Sequence, residues 1–117
     1  MLPTRKPKDK YRYPQDPRSR IYSKDLPEGE YVFVQDEHGA VWVLPNGPHY
    51  HPRILGNATP VAAAGEMVVG HAGEIIEINN LSGTFEFGPE VLQEVVAFLK
   101  SQGAIVLDDA VHEYHWE

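Results

Sequence analysis

The stretch VAAAGEMVVGHAGEIIEIN, residues 61–79, decides the fold because it holds two apolar runs separated by a short turn, HAG. In the second run, Ile76 and Ile78 alternate with Glu77 and Asn79, a pattern typical of a strand with one solvent-exposed face. Small residues and a glycine in the first run allow other groups to pack closely over it. The stretch therefore predicts an antiparallel β-hairpin.

The sequence on either side of this hairpin predicts the rest of the sheet. Upstream, YVFVQD and AVWVL are two strands joined by the turn EHG, and together they form a first hairpin. Downstream, TFEF is a short strand by composition, and AIVL is a candidate for the last strand. The connection between the two hairpins, PNGPHYHPRILGNATP, contains four prolines and two glycines and is predicted to be a long loop.

One helix completes the predicted fold. Gly88-Pro89-Glu90 marks its start, because Pro is tolerated at the first helical position and Glu suits the positive N-terminal end. Gly103 is its expected C′ residue. Its apolar positions form one stripe: Val91, Leu92, Val95, Val96, Phe98 and Leu99. The elements together predict an α+β fold, a small mostly antiparallel sheet of about five strands with one helix of the C-terminal half packed on it.

Charge divides the chain of 117 residues into two parts. Residues 1–29 hold eight Lys and Arg and four Asp and Glu, and five of the ten prolines, so we expect a basic, proline-rich arm or linker. Residues 30–117 hold two basic and thirteen acidic residues, a net charge of −11, and are predicted to form a single globular α+β domain. Such an acidic body is a poor generic nucleic-acid surface, and it suits a basic partner or a small ligand.

Composition also excludes several classes of protein. The chain contains no cysteine, so disulfides, thiolate nucleophiles and Cys-based zinc sites are absent. No apolar run reaches the roughly 18–20 residues that a membrane span needs. The first residues, MLPTRKPKDK, lack the apolar core of a secretory signal peptide, so we expect the chain to be produced in the cytoplasm.

The loop between the hairpins carries the first candidate site residues. His51 could act as a general acid or base near neutral pH, and the alternative is an exposed loop histidine. His49 and Tyr50 precede it and are candidate ligand-binding residues. His49 and His51 form an H-x-H pair that would suit a metal, but the only further candidate ligands are His112 and His115, so we assign no metal site.

Four further residues complete the candidate site. Arg53 is one of two basic residues in the body and could hold a phosphate or a developing oxyanion, or else pair with an acid. Glu66 follows the small-residue run and could line a cleft as a catalytic carboxylate, or else be a surface acid at a strand end. Ser82 and Thr84 could bind a ligand edge, or else simply hold a turn.

Several of these motifs recur in one family. From about residue 31 to residue 103 the chain resembles the small C-terminal domains of bacterial polymorphic toxins, and a similar segment occurs in plant IQ-motif calmodulin-binding proteins. The resemblance rests on His51, on PVAAAGE at residues 60–66, on INNLSG at residues 78–83 and on Pro89 with the helix after it. Two positions depart from the family pattern: a proline replaces the Ser after the histidine, and Thr-Phe replaces the His-Tyr after Ser-Gly.

The resemblance implies an effector used in competition between bacteria. The predicted catalytic residues are His51 and Glu66, which lie in its motifs, and Arg53, the cation beside the histidines. The resemblance also implies an enzymatic activity on an intracellular target, either ADP-ribosyl transfer from NAD or RNA cleavage, and the residues do not separate these two reactions. It further implies a cognate immunity protein and delivery into a target cell by a specialised secretion system. The first of these reactions would require NAD, and no other cofactor is assigned. The alternative is a non-enzymatic acidic binding module, such as an immunity or regulatory protein, that holds a basic partner.

Overall fold

A computed structural model describes residues 1–9, 11–47 and 51–116 of the chain and shows one six-stranded sheet. Its strands lie in the order β1-β3-β2-β4-β5-β6. The strands and helices, in chain order, are β1 (Arg20–Ile21), β2 (Gly29–Gln35), β3 (Val41–Pro45), α1 (Pro52–Leu55), β4 (Ala63–Val69), β5 (Ile75–Asn79), α2 (Pro89–Ser101) and β6 (Val111–His112).

The predicted fold class is confirmed. Strands β2 and β3 form the first antiparallel hairpin, and β4 and β5 form the second. The two hairpins join because β2 also pairs with β4, again antiparallel. Only the short edge strand β6 is parallel to its neighbour, β5. The helix begins at Pro89 and ends at Ser101, and Gly103 has the left-handed φ of +91° that a C′ residue adopts.

Alternation along the central strands gives the sheet two buried faces. The face covered by α2, which we call the α2 face, holds Tyr31 and Phe33 of β2 together with the buried stripe of the helix: Leu92, Val95, Val96 and Leu99. The opposite face, which we call the α1 face, holds a second cluster: Val32, Val34, Leu44, Ile54, Val61, Ala64, Phe85 and Phe87. Within the described ranges, no helix is long and apolar enough to cross a membrane.

Three local predictions are wrong. The segment TFEF is not a strand, because the Phe85 N–H is donated to the Ser82 hydroxyl and both phenylalanines enter the α1 face from a loop. The loop between the hairpins contains a short helix, α1, whose Ile54 is buried. In β5 the alternation fails at Ile76, which is 41% exposed, because a register shift at the Val68–Val69 step interrupts the two-residue period.

The candidate last strand, AIVL, makes a single parallel bridge between Val106 and Ile75. Two backbone hydrogen bonds hold it, from the Ile75 N–H to the Ile105 carbonyl at 2.8 Å and from the Leu107 N–H to the Ile75 carbonyl at 3.1 Å. The chain then returns to the same strand at β6. The C-terminal residues therefore cover the outer edge of β5 at two places, the Val106 bridge and β6.

The described part of residues 1–29 lies extended against the body. A backbone bridge joins Arg5 to Val61, the strand β1 pairs with β3, and Leu26 is 5% exposed within the core. At Glu86 the arm adds ionic and hydrogen-bond contacts, from Lys8 to the carboxylate and from Arg5 to the backbone carbonyl. The basic arm thus contacts an acidic body, and the division of the chain at residue 29 stays a prediction.

Candidate active site on the α1 face

Glu66 lies on the α1 face, near the centre of the sheet. It is on β4, between β2 and β5, and it pairs with Val32 on one side and with Asn79 on the other. Two residues before it, Ala64 belongs to the buried cluster of that face. The small side chain of Ala64 packs in the same cluster as Phe85 and Phe87.

Asn79 orients Glu66. The Asn79 side-chain amide donates to Glu66 Oε1 at 3.2 Å, and the Asn79 side-chain oxygen accepts the backbone N–H of Glu66 at 3.0 Å. The same oxygen also accepts the Leu81 N–H at 2.9 Å. Because a carboxylate held by a fixed amide keeps one orientation, Glu66 is positioned by the fold and not by its own rotamer preference.

A cavity of about 80 Å³ lies beside Glu66. Three carboxylates line it, one from each of three neighbouring strands: Glu30 of β2, Glu66 of β4 and Glu77 of β5. Asn46 and Asn79 also belong to the lining. Like charges gathered around a small space favour a cationic occupant and disfavour an anionic one such as phosphate.

His51 is the second predicted residue near Glu66, although it is not among the described residues that line the cavity. It immediately precedes α1, and its Nε2 lies 2.8 Å from the backbone carbonyl oxygen of Gly65, the residue before Glu66. Burial lowers the pKa of His51, although the Gly65 carbonyl and the charge of Glu66 both act in the opposite direction. The ring is therefore neutral at pH 7. Since a carbonyl can only accept, Nε2 carries the proton and Nδ1 is the unprotonated nitrogen.

Arg53 lies against the arm. Its guanidinium carbon is 5.2 Å from the centre of the Tyr13 ring, and its backbone carbonyl accepts the Asp16 N–H at 2.8 Å. It is not among the described residues that line the Glu66 cavity. The structure therefore brings two of the three predicted catalytic residues to adjoining positions and places the third beside a different segment.

The predicted ligand-binding residues have structural contacts where they are described. Ser82 is 4% exposed and its hydroxyl accepts the Phe85 N–H at 3.1 Å, so it holds the turn. The Thr84 carbonyl accepts the Lys8 N–H at 2.9 Å and thereby helps to anchor the arm. His49 and Tyr50 lie outside the described residues. Among the residues that the structure covers, no group of three or more His, Asp or Glu side chains is placed to hold a metal ion.

Sequence reasoning missed Glu30, Asn46, Glu77 and Asn79 as members of this site. The alternation in IIEIN contained part of the signal, since Glu77 and Asn79 are two residues apart and so share a face. Their meeting with Glu30 depends on the strand order β2-β4-β5 and on the register between strands. Neither quantity can be taken from local sequence.

The lowered pKa of His51 predicts a loss of stability in acid. The folded protein resists protonation of this ring, whereas an unfolded histidine takes up a proton at a pH of about 6.5. This stability is fully present above that pH and is lost as the pH falls below it, with a slope of at most about 1.4 kcal/mol per pH unit. Urea unfolding at several values between pH 5 and pH 8 measures the slope.

The variant His51→Gln is the matched control for this prediction. Glutamine keeps a side-chain donor for the Gly65 carbonyl but does not titrate. Every other ionisable group is present in both proteins, so the difference between the two pH profiles isolates His51. Identical slopes for the two proteins below about pH 6.5 would contradict the assignment of a buried neutral ring.

Comparison of this chain with protein-family models, with curated proteins and with solved structures finds no match to any of them.

Proposed function

We propose that the chain is an enzymatic effector domain of the polymorphic-toxin type that acts on an intracellular target, with Glu66 as the catalytic carboxylate. The observation that carries the proposal is an Asn79-oriented Glu66 in the wall of one small acidic cavity, with a neutral His51 held on the carbonyl of the preceding residue, Gly65. A carboxylate and an unprotonated imidazole nitrogen are the groups that acid–base chemistry requires. Both come from motifs on which the resemblance to the toxin family rests. The same resemblance supports production in the cytoplasm with an immunity protein, followed by delivery into a target cell.

Of the two reactions that the sequence left open, the charges at the cavity favour ADP-ribosyl transfer from NAD. RNA cleavage develops negative charge on a phosphate, which three surrounding carboxylates would oppose. Breaking the bond between nicotinamide and ribose instead develops positive charge on the sugar, and a neighbouring carboxylate stabilises such charge. The cavity of about 80 Å³ has room for one small group of NAD and not for the whole dinucleotide. In this proposal Glu66 faces the reacting sugar, and Glu30 and Glu77 supply the surrounding negative potential.

Expression in a bacterial cytoplasm tests the proposal, with Glu66→Gln as the decisive variant. The glutamine side chain keeps an oxygen that can accept the Asn79 amide, so it removes the charge and little else. We expect the native chain to arrest growth and consume NAD, and Glu66→Gln to lower the rate of NAD loss by about 100-fold or more. The control is Asp108→Asn, an exposed acid that is not among the described residues lining the cavity, which should arrest growth like the native chain.

The other outcomes of this experiment are equally informative. Arrest with cleaved RNA and unchanged NAD would contradict the choice of reaction. Arrest that Glu66→Gln fails to relieve would contradict the site. Normal growth at high soluble expression would contradict the enzymatic proposal altogether.

A second candidate function, a binding module for a basic partner, is favoured by a specific observation. The hydroxyl of Ser82 and the Nε2 of His51 are already engaged with backbone groups, which is typical of structural residues. A lysine or arginine side chain of a partner would fit the charge of the Glu66 cavity. In that case Glu66→Gln weakens capture of a lysine-rich peptide at low salt, and growth of the host is unaffected. A peptide that binds both proteins equally would exclude this cavity as the binding site.

A further inference from the structure

A second cavity lies on the α2 face, on the other side of the sheet from Glu66. Its volume is about 440 Å³, within the range of about 300–1,000 Å³ that small-molecule sites occupy. Val41 of β3 and Phe98 and Leu99 of α2 form its inner walls, and Tyr22 of the arm closes one side. The walls are thus largely apolar and include two aromatic rings, which favours an aromatic or aliphatic occupant.

The polar groups at this cavity carry opposite charges. Lys24 and Asp25 are consecutive, exposed and part of the lining, and they lie in a turn closed by the Leu26 N–H and the Ser23 carbonyl at 3.2 Å. A cation and an anion that are held side by side at the edge of an apolar cavity match a ligand with both charges next to an apolar body. An anionic or a cationic ligand alone would meet one group of its own sign.

Tyr22 combines membership of the cavity wall with a buried hydroxyl. Its hydroxyl is buried, and it has no hydrogen-bond partner among the residues that the structure describes. Because the hydroxyl is shielded from solvent, it does not open into the cavity, and Tyr22 offers a ligand its aromatic ring.

We propose that the cavity binds a free aromatic amino acid, with its ring between Tyr22 and Phe98, its carboxylate at Lys24 and its ammonium at Asp25. Such a molecule has about 12–15 non-hydrogen atoms, which the volume accommodates, and a dissociation constant on the order of 1 mM follows from typical efficiency per atom. The ligand joins the arm to α2, so its binding stabilises the folded chain. This site does not depend on the function proposed for Glu66.

Titration of the full chain with L-phenylalanine tests the proposal. Calorimetry and the changes in the NMR chemical shifts of Val41 and Leu99 monitor binding. Phenethylamine, which lacks the carboxylate, and 3-phenylpropionate, which lacks the ammonium, are the matched probes. We expect each to bind about threefold to tenfold more weakly than phenylalanine. Lys24→Ala should weaken phenylalanine and phenylpropionate by a similar factor and should not weaken phenethylamine, and Asp25→Ala should show the reverse pattern.

Two further variants test whether phenylalanine binds in this cavity. Ala40→Leu adds bulk at the cavity lining and should abolish binding, and the circular dichroism spectrum checks that it folds. Lys100→Ala removes an exposed lysine of α2 outside the lining and should bind phenylalanine like the native chain. The proposal is overturned if 10 mM phenylalanine, about ten times the expected dissociation constant, leaves the NMR shifts of Val41 and Leu99 unchanged. Equal binding of all three probes would overturn the assignment of Lys24 and Asp25.

Discussion

Gly65→Ala is expected to lower the free energy of unfolding by about 3–5 kcal/mol, a large part of the stability of a domain of this size. A Cβ atom at this position would lie 1.9 Å from the Asn79 carbonyl oxygen and 2.8 Å from the Phe33 ring. Neither neighbour can yield, because Asn79 contributes backbone of the adjacent strand and Phe33 is 1% exposed in the core. The backbone of β4 would have to move, and the Gly65 carbonyl that accepts His51 would move with it.

Gly83→Ala is the matched control, since a Cβ atom at that glycine meets nothing within 4 Å. It should leave stability unchanged, or raise it by up to about 1 kcal/mol because alanine restricts the unfolded chain. Urea unfolding followed by circular dichroism measures both variants. Equal midpoints for Gly65→Ala and the native chain would contradict the close approach of β5 to this residue. In the motif PVAAAGE, the glycine is thus expected to serve packing, and the glutamate after it to serve the site.

Asn80→Ala is expected to cost about 2–4 kcal/mol and to release the C-terminal residues from the sheet. Asn80 is 1% exposed, and its amide donates at 2.7 Å to the carbonyls of both Phe87 and Tyr114. Its side-chain oxygen accepts the Tyr114 N–H, also at 2.7 Å. Alanine would leave these backbone groups without their partner, and unpaired buried polar groups carry most of the cost. Hydrogen exchange at the Tyr114 amide should accelerate together with the loss of stability.

The control for Asn80 is Gln93→Ala. Gln93 on α2 also bonds the C-terminal residues, through the Glu113 carboxylate at 2.8 Å, but this contact is exposed. Its removal should change stability by no more than about 0.5 kcal/mol. If both variants lost the same stability, burial would not be what makes the Asn80 contacts strong. Asn79 and Asn80 therefore have different roles: the first orients Glu66, and the second fastens the end of the chain.

Most of the fold could be predicted from local pattern. Both central hairpins and the helix followed from alternation, turn residues and the apolar stripe, because strongly periodic segments of this length have one favourable way to bury their apolar side. The predictions failed where contacts are non-local. TFEF has the composition of a strand, yet its backbone bonds to the side chains of Ser82, Asn80 and Arg5 and to the backbone N–H of Lys8, and not to a neighbouring strand. The short edge strands β1 and β6 lack any local signal, since each is two residues long.

The candidate site shows the same division. The sequence by itself determined that an acidic body carries His51 and Glu66 in motifs separated by small residues, because charge and motif order are properties of the chain. Only the tertiary structure decided that His51 is a neutral ring on the Gly65 carbonyl, and that Glu66 is joined by Glu30, Glu77 and Asn79. The physical reason is that strand order and register, which bring distant residues within a few ångströms, are set by the packing of the whole sheet.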